Sequence, residues 1–112
     1  MSLLIAKKGE VVIAMPGEQL DLNTSPEAEE MLVARIEAGE TRIVMDFSKT
    51  EYISSAGLRV IMKAAILLKD QDGGLALCNA NEQIYEVLEI SGFLDIINYC
   101  SSFEKAVAAV SG

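Results

Sequence analysis

Histidine is absent from the 112-residue sequence, and its absence excludes much of the usual side-chain chemistry. Serine and cysteine nucleophiles commonly depend on a histidine base, and tetrahedral zinc sites commonly include histidine ligands. Neither the Gly-x-Gly-x-x-Gly nor the Gly-x-x-x-x-Gly-Lys-Ser/Thr phosphate loop occurs, so a self-contained nucleotide site is not expected. These absences predict a protein that is not an enzyme and that carries no metal and no cofactor.

Cysteine, tryptophan and positive charge are also scarce. The two cysteines, Cys78 and Cys100, are isolated and do not suggest a disulfide framework. Tryptophan is absent and aromatic residues make up 5% of the chain, so a base-stacking surface is not expected. Nine Lys and Arg residues stand against 17 Asp and Glu residues, which gives a net charge of −8. Because nucleic-acid-binding proteins usually present a basic face, we expect no direct contact with nucleic acid.

Long hydrophobic runs are missing as well, although hydrophobic residues make up 51% of the sequence. The apolar runs are far shorter than the roughly 20 residues of a membrane-spanning helix. The first residues, Met1 to Lys8, lack the basic n-region and the long apolar h-region of a signal peptide. We therefore expect a cytoplasmic protein without membrane insertion, folded as one domain over residues 1–112.

The spacing of apolar residues predicts strands that alternate with helices. Residues 3–7 and 10–15 are expected to form a hairpin that turns at Lys8-Gly9. The later strands are predicted at 42–47, 75–78 and 96–99, and the helices at 25–39, 58–70, 81–91 and 101–110. The first, third and fourth of these helices are expected to begin at the N-caps Ser25, Asn81 and Ser101. Such alternation is typical of parallel crossovers. The sequence therefore predicts an α/β domain with a mixed sheet of four to five strands, an N-terminal hairpin and about four helices.

The most informative segment is Tyr52-Ile53-Ser54-Ser55-Ala56-Gly57-Leu58, which opens a long apolar helix. The first N–H groups of a helix lack intrahelical partners, and the helix dipole favours negative charge there. A serine at this position is commonly an ordinary N-cap. The same position can also hold a phosphate. Position alone leaves both interpretations open.

Together with Asp46-Phe47-Ser48, this segment resembles the signature of the STAS domain, and most closely that of the bacterial anti-sigma factor antagonists. In that family a strand ends in Asp-Leu-Ser, and a short loop leads to Asp-Ser-Ser/Thr-Gly-Leu. The serine two residues before the glycine accepts a phosphate from a partner kinase. The resemblance spans essentially the whole chain and implies a STAS fold. It implies that Ser55 is the acceptor, with Ser54 as the alternative. Ser54 stands where the family often has Asp, and Ala56 where it often has Ser or Thr.

The resemblance also implies a function, which is partner switching. The unphosphorylated protein would bind an anti-sigma factor serine kinase and so release a sigma factor. Phosphorylation would end that binding, and a serine phosphatase would reset the protein. Three alternatives stay open: a STAS subunit of a lipid-transport ATPase, a STAS module of a sensor assembly or an anion transporter, and a small-ligand or nucleotide binder. The sequence does not identify the partner or the oligomeric state.

A partner-binding surface is expected around the start of the helix. On a helical wheel the main apolar face of this helix consists of Leu58, Ile61, Met62, Ala65 and Leu68. Two other apolar residues border a narrow polar stripe. Packing in the core is the simpler interpretation of these two residues, and our hypothesis is that they instead form part of a partner surface. The surface comprises Asp21, Ser54, Ser55, Ala56, Gly57, Arg59, Val60, Lys63 and Leu67, of which Val60 and Leu67 are the two apolar border residues.

Three residues of this region have a specific expected role. Gly57 is expected to let another backbone or a nucleotide phosphate approach the helix start closely. Asp21 follows Gly17-Glu18-Gln19-Leu20, and this segment resembles the family's Gly-x-Leu-Asp motif with one extra residue. Asp21 can equally be a turn aspartate that accepts local N–H groups. Asp46 is expected to fix the shape of the loop that follows its strand.

Overall fold

A computed structural model describes residues 3–111 and contains seven strands, four α-helices and one short 3-10 helix within that range. The strands are β1 (Leu3–Lys8), β2 (Val11–Pro16), β3 (Gln19–Leu20), β4 (Arg42–Asp46), β5 (Tyr52–Ile53), β6 (Gly74–Cys78) and β7 (Asn98–Cys100). The helices are α1 (Ser25–Glu37), α2 (Ser55–Asp70), α3 (Glu82–Ile90) and α4 (Phe103–Ser111), and the 3-10 helix is Phe93–Asp95. Within residues 3–111 no helix is both long enough and apolar enough to cross a membrane.

Five of the strands form the main sheet in the order β1-β2-β4-β6-β7. β1 is antiparallel to β2, and the other neighbouring pairs are parallel. The predicted mixed sheet with an N-terminal hairpin is therefore confirmed. The hairpin turns at Gly9-Glu10, one residue later than predicted, because Lys8 still pairs with Val11. Gly9 has a φ of +63°, which glycine adopts readily in a tight turn.

Helices cover both faces of the sheet, and the strand residues alternate between the two. Ile43 and Met45 point into the larger core, together with residues of α1, α2 and α3. Val44 points to the opposite face, where α4 packs. All three side chains have no exposed surface. This double coverage explains why the sequence of β4 is a nearly continuous apolar run.

The helix starts are only partly as the sequence predicts. Asn81 caps α3 as expected, because its Oδ1 accepts the N–H of Ile84 at 2.8 Å. Ser25 is not the cap of α1: it is already helical and buried, and Thr24 occupies the N-cap position. For α4, Ser102 rather than Ser101 accepts an N–H of the first turn. Neighbouring hydroxyl residues have similar capping preferences, so the sequence alone cannot choose between them.

Candidate functional site

The start of α2 is held by a small second sheet that the sequence did not predict. In it β3 and β5 pair in parallel. The Glu18 carbonyl accepts the N–H groups of Glu51 at 2.7 Å and of Tyr52 at 3.1 Å. The Leu20 carbonyl accepts the N–H of Ser54 at 3.0 Å. The segment that leads to Asp21 is therefore fastened directly against the serines that begin α2.

Ser54 is the N-cap residue of α2, in an extended conformation with φ −102° and ψ 178°. Its carbonyl accepts the N–H of Leu58 at 3.0 Å, which is the first hydrogen bond of the helix. Its side chain, however, makes no capping hydrogen bond. The Ser54 Oγ is buried and has no hydrogen-bond partner among residues 3–111. This hydroxyl is therefore closed off from solvent in the folded protein.

Ser55 differs from its neighbour in both position and exposure. It is the first residue of α2 and is exposed to solvent. Backbone N–H groups in the first turn of a helix have no intrahelical acceptor, and the helix dipole is positive there. The first turn of α2 contains no acidic residue that would compensate this positive end. The local field at Ser55 therefore favours an added negative group.

Gly57 allows a close contact between two backbone segments at the start of α2. It is buried, and a β-carbon at this position would collide with the backbone carbonyl oxygen of Leu20. The same β-carbon would lie 2.7 Å from Cγ1 of Ile53. The close approach at the helix start is thus made by β3 of the same chain. The expected close approach of another backbone is therefore confirmed, and that backbone belongs to the same chain.

Asp21 acts as a turn aspartate. Its Oδ1 accepts the N–H of Asn23 at 2.9 Å and the N–H of Thr24 at 3.2 Å. The Thr24 hydroxyl donates to the Gln19 carbonyl at 2.8 Å and closes the same turn. These bonds shape the chain between β3 and α1. Direct contact between Asp21 and a partner stays a prediction.

Asp46 fixes the loop after β4, as the sequence predicts. It is 7% exposed, and its Oδ1 accepts the N–H of Ser48 at 2.9 Å. The same oxygen accepts the Nδ2–H of Asn79 at 3.1 Å, which joins the ends of β4 and β6. Thr50, further along the loop, donates from its buried hydroxyl to the Pro16 carbonyl at 3.1 Å. The loop that leads to the two serines is therefore anchored at both ends.

Two cations follow Ser55 along the exposed side of α2. Arg59 and Lys63 lie four and eight residues after Ser55, and both are exposed. The ion pairs among residues 3–111 are Lys7–Glu40, Arg35–Glu40 and Arg42–Glu10, so neither Arg59 nor Lys63 takes part in one. Ser55 therefore lies at the end of a positively charged helix face on a protein of net charge −8.

The apolar flank predicted beside these cations is wrong for Val60. This residue is 2% exposed and belongs to the main core. Leu67 is half-buried and packs against the same core. The exposed apolar residue of this helix is Ile66, which is 54% exposed. Because α1 packs against α2, the buried arc of α2 is centred nearer to Val60 than the sequence suggested.

A shallow cleft between the starts of α1 and α2 was missed by the sequence analysis. Ala56 and Arg59 line it from α2, and Glu29 lines it from α1. Leu22, at its edge, is 76% exposed. The only signal in the sequence is this single leucine between Asp21 and Asn23. A single apolar residue forms no periodic pattern, so the sequence does not predict that Leu22 is exposed.

Cys78 offers no reactive group at this site. Cys78 is fully buried, and burial, reinforced by the nearby Asp46, Cys100 and Glu104, raises the pKa of its thiol to about 12. A thiol with this pKa is almost entirely protonated at neutral pH and is a poor nucleophile.

Within residues 3–111 no group of three or more His, Cys, Asp or Glu side chains is placed to hold a metal ion.

Comparison with known proteins identifies the family to which this arrangement corresponds. The family profile described as the STAS domain matches residues 2–106. Among curated proteins the chain is similar to BtrV of Bordetella bronchiseptica, a candidate anti-sigma factor antagonist. The two are 44% identical over 107 residues, which is 96% of this chain and 85% of that protein.

Solved structures share the fold over nearly the whole chain. A candidate anti-sigma factor antagonist of Thermotoga maritima matches with a TM-score of 0.93 and 22% identity, over 98% of this chain and 95% of that one. The Bacillus cell fate determinant SpoIIAA in its phosphorylated form matches with a TM-score of 0.77 and 18% identity, over 96% of this chain and 97% of that one. At such identities the likeness concerns the fold alone.

Proposed function

Because the chain belongs to the STAS domain family, we propose that it is an anti-sigma factor antagonist that works by partner switching. It binds an anti-sigma factor serine kinase, and phosphorylation of Ser55 by that kinase ends the binding. A serine phosphatase then restores the binding form. On this proposal the chain is a substrate rather than an enzyme, requires no cofactor of its own and works in the cytoplasm.

The observation that carries the choice of Ser55 is the difference between two adjacent hydroxyls. Ser55 is exposed at the first position of α2, whereas the Ser54 Oγ is buried. A kinase must bring the acceptor oxygen to within reach of the ATP γ-phosphorus, so a solvent-excluded hydroxyl is a poor acceptor. The solved structure of SpoIIAA in its phosphorylated form, which shares this fold, is an example of the fold carrying a phosphate.

The surroundings of Ser55 can accommodate a phosphate without unfolding the protein. A phosphate carries about −1.5 to −2 charges at pH 7. At a helix N-terminus such a charge gains about 0.3–1 kcal/mol, and the first turn of α2 has no acidic residue to oppose it. At an interface the same charge must be desolvated, and like-charge contacts there cost several kcal/mol. Phosphorylation would thus weaken binding while leaving the fold intact.

A phosphorylation experiment with two matched serine variants tests the assignment. The kinase is first recovered from the native cell with the tagged protein and then purified. Parent, Ser55→Ala and Ser54→Ala are incubated with this kinase and ATP, and incorporated phosphate is located by mass spectrometry. We expect Ser55→Ala to abolish incorporation and Ser54→Ala to retain most of it, because only Ser55 presents its hydroxyl to solvent.

Each other result has a defined meaning. Equal labelling of Ser55→Ala and the parent would overturn the choice of acceptor. Recovery of a transport ATPase or a sensor assembly, with no phosphate on either serine, would overturn partner switching. In both cases circular dichroism of the variants establishes that they are folded.

A further inference from the structure

We propose that Arg59 binds the phosphate of phosphorylated Ser55 from within the same helix. The proposal rests on the function proposed above and adds the means by which the phosphate changes the binding surface. On this account phosphorylation removes an exposed cation from that surface as well as adding an anion.

The geometry of α2 brings the two residues together. Ser55 is the first residue of the helix and Arg59 follows it by four. Side chains at i and i+4 are neighbours on a helix, with about 5–6 Å between their Cβ atoms. The Cα–Cβ bonds of a helix tilt toward its N-terminus, so the side chain of residue i+4 leans back over residue i. The guanidinium of Arg59 is therefore within reach of a phosphate on Ser55.

Arg59 is available for this contact. It is exposed, and it is not a member of any of the three ion pairs found among residues 3–111. Glu29 of α1 lines the same cleft as Arg59 but does not form an ion pair with it. The first turn of α2 supplies no acidic residue that could compete. The phosphate would thus meet a guanidinium that is not already paired with a carboxylate.

The chemistry of the pair makes the contact selective. A guanidinium presents parallel N–H donors in a rigid fork that matches two phosphate oxygens, whereas a lysine ammonium acts as a point charge. Lys63 lies eight residues after Ser55, which is about 12 Å along the helix axis at 1.5 Å per residue, and is too far to make the same contact. Lys63 is therefore the natural control, because it has the same charge on the same helix face.

The pairing changes the sign of the surface that a partner meets. In the unphosphorylated protein, Ser55 is neutral and Arg59 presents one positive charge. A phosphate of about −1.5 to −2 charges combined with Arg59 leaves roughly −0.5 to −1. A partner whose acidic groups face Arg59 would lose an attractive contact and gain a repulsive one in a single step. Arg59→Gln in the unphosphorylated protein reproduces only the first of these changes.

The test uses protein that carries phosphoserine at position 55 by genetic encoding, so that no kinase is needed. The second pKa of the phosphate is measured by ³¹P NMR titration in the parent and in Arg59→Gln, Arg59→Lys and Lys63→Gln. A nearby cation favours the dianion, so removing Arg59 should raise this pKa by about 0.3 pH unit. Arg59→Lys should give an intermediate value, and Lys63→Gln a much smaller change.

Two results would overturn the proposal. One is an unchanged phosphate pKa in Arg59→Gln, and the other is an equal change in Arg59→Gln and Lys63→Gln. The helix N-terminus and the nearby carboxylates of Asp21, Glu29 and Glu51 are the same in every variant, so they do not contribute to the differences. The titration uses no kinase, so a negative result in it would refute the Arg59 contact without affecting the conclusion of the phosphorylation assay. Conversely, if the kinase does not label Ser55, the titration still reports whether Arg59 binds a phosphate at this position.

Discussion

The β-carbon that Gly57 lacks would occupy space held by the Leu20 carbonyl oxygen, and that oxygen already accepts the N–H of Ser54. The obstacle is backbone, fixed within the β3–β5 pair, and it cannot turn aside as a flexible side chain would. A single glycine therefore allows the loop before α1 and the start of α2 to lie together. Gly57 therefore stabilises the packing of these two segments, and this packing fixes the position of Ser55 at the surface.

We predict that Gly57→Val destabilises the folded protein by roughly 3 kcal/mol or more, because overpacking against backbone forces the two segments apart. Chemical denaturation with urea measures the loss. Ser55→Ala, two residues earlier and exposed, is the control and should change the free energy of unfolding by less than about 0.5 kcal/mol. A Gly57→Val protein of parental stability that fails only to bind its partner would contradict this account.

The residues of the site could be predicted from the sequence to different degrees. The helix start at Ser54 and Ser55 was predictable, because a polar loop followed by an apolar helix marks it locally. The reason for Gly57 was not, because it depends on Leu20, which lies 37 residues earlier. Asp21 left two interpretations open, since local N–H groups and a partner can both satisfy a carboxylate. Its bonds to Asn23 and Thr24 establish the turn role.

At the scale of elements, α2 is packed on two sides, by α1 and by β6. The buried residues of the helix are Gly57, Val60, Ile61, Ala64 and Leu68. Of the core face that the sequence pattern predicts, Ile61 and Leu68 are buried, whereas Leu58, Met62 and Ala65 are only half-buried. A helix that is apolar around most of its surface does not reveal where its second neighbour lies. For the same reason a helical wheel predicts that Val60 lies beside the polar stripe, although the residue is buried.

Two truncations on α2 check this orientation. Val60→Ala should lower the free energy of unfolding by about 1–3 kcal/mol, because a fully buried valine loses apolar contacts and leaves a cavity. Ile66→Ala, six residues later and 54% exposed, should change it by less than about 0.5 kcal/mol. Both values come from urea denaturation monitored by circular dichroism. Similar losses for the two variants, or a larger loss for Ile66→Ala, would mean that α2 is rotated from the orientation described here.

The two-residue strands β3 and β5 lie beyond what a sequence pattern can predict. Alternation of apolar and polar residues needs four or more positions before it indicates a strand. Gln19–Leu20 and Tyr52–Ile53 pair because the larger sheet and α2 bring their backbones together. The five strands of the main sheet carry longer patterns, and the order of strands and helices was accordingly predictable. The site therefore depends on the element pair that the sequence indicates least.

At the scale of the whole molecule, the fold leaves the proposed switch on the surface. Ser55 begins a helix whose buried face is packed against the rest of the chain. The loop before it is anchored by hydrogen bonds of Asp46 and Thr50. A phosphate there would add charge without disturbing the core. The acidic balance of the chain, −8 overall, makes the positive face at Arg59 and Lys63 a local exception. Partner binding should therefore respond to charge at this face more than to the net charge.

The affinity of the chain for its anti-sigma factor kinase, with and without phosphate on Ser55, tests the central claim most directly. Isothermal titration calorimetry would compare the unphosphorylated protein with protein that carries encoded phosphoserine at position 55, at equal ionic strength. We predict at least a tenfold loss of affinity on phosphorylation, or about 1.4 kcal/mol, with unchanged circular dichroism. Equal affinities for two equally folded forms would contradict the account.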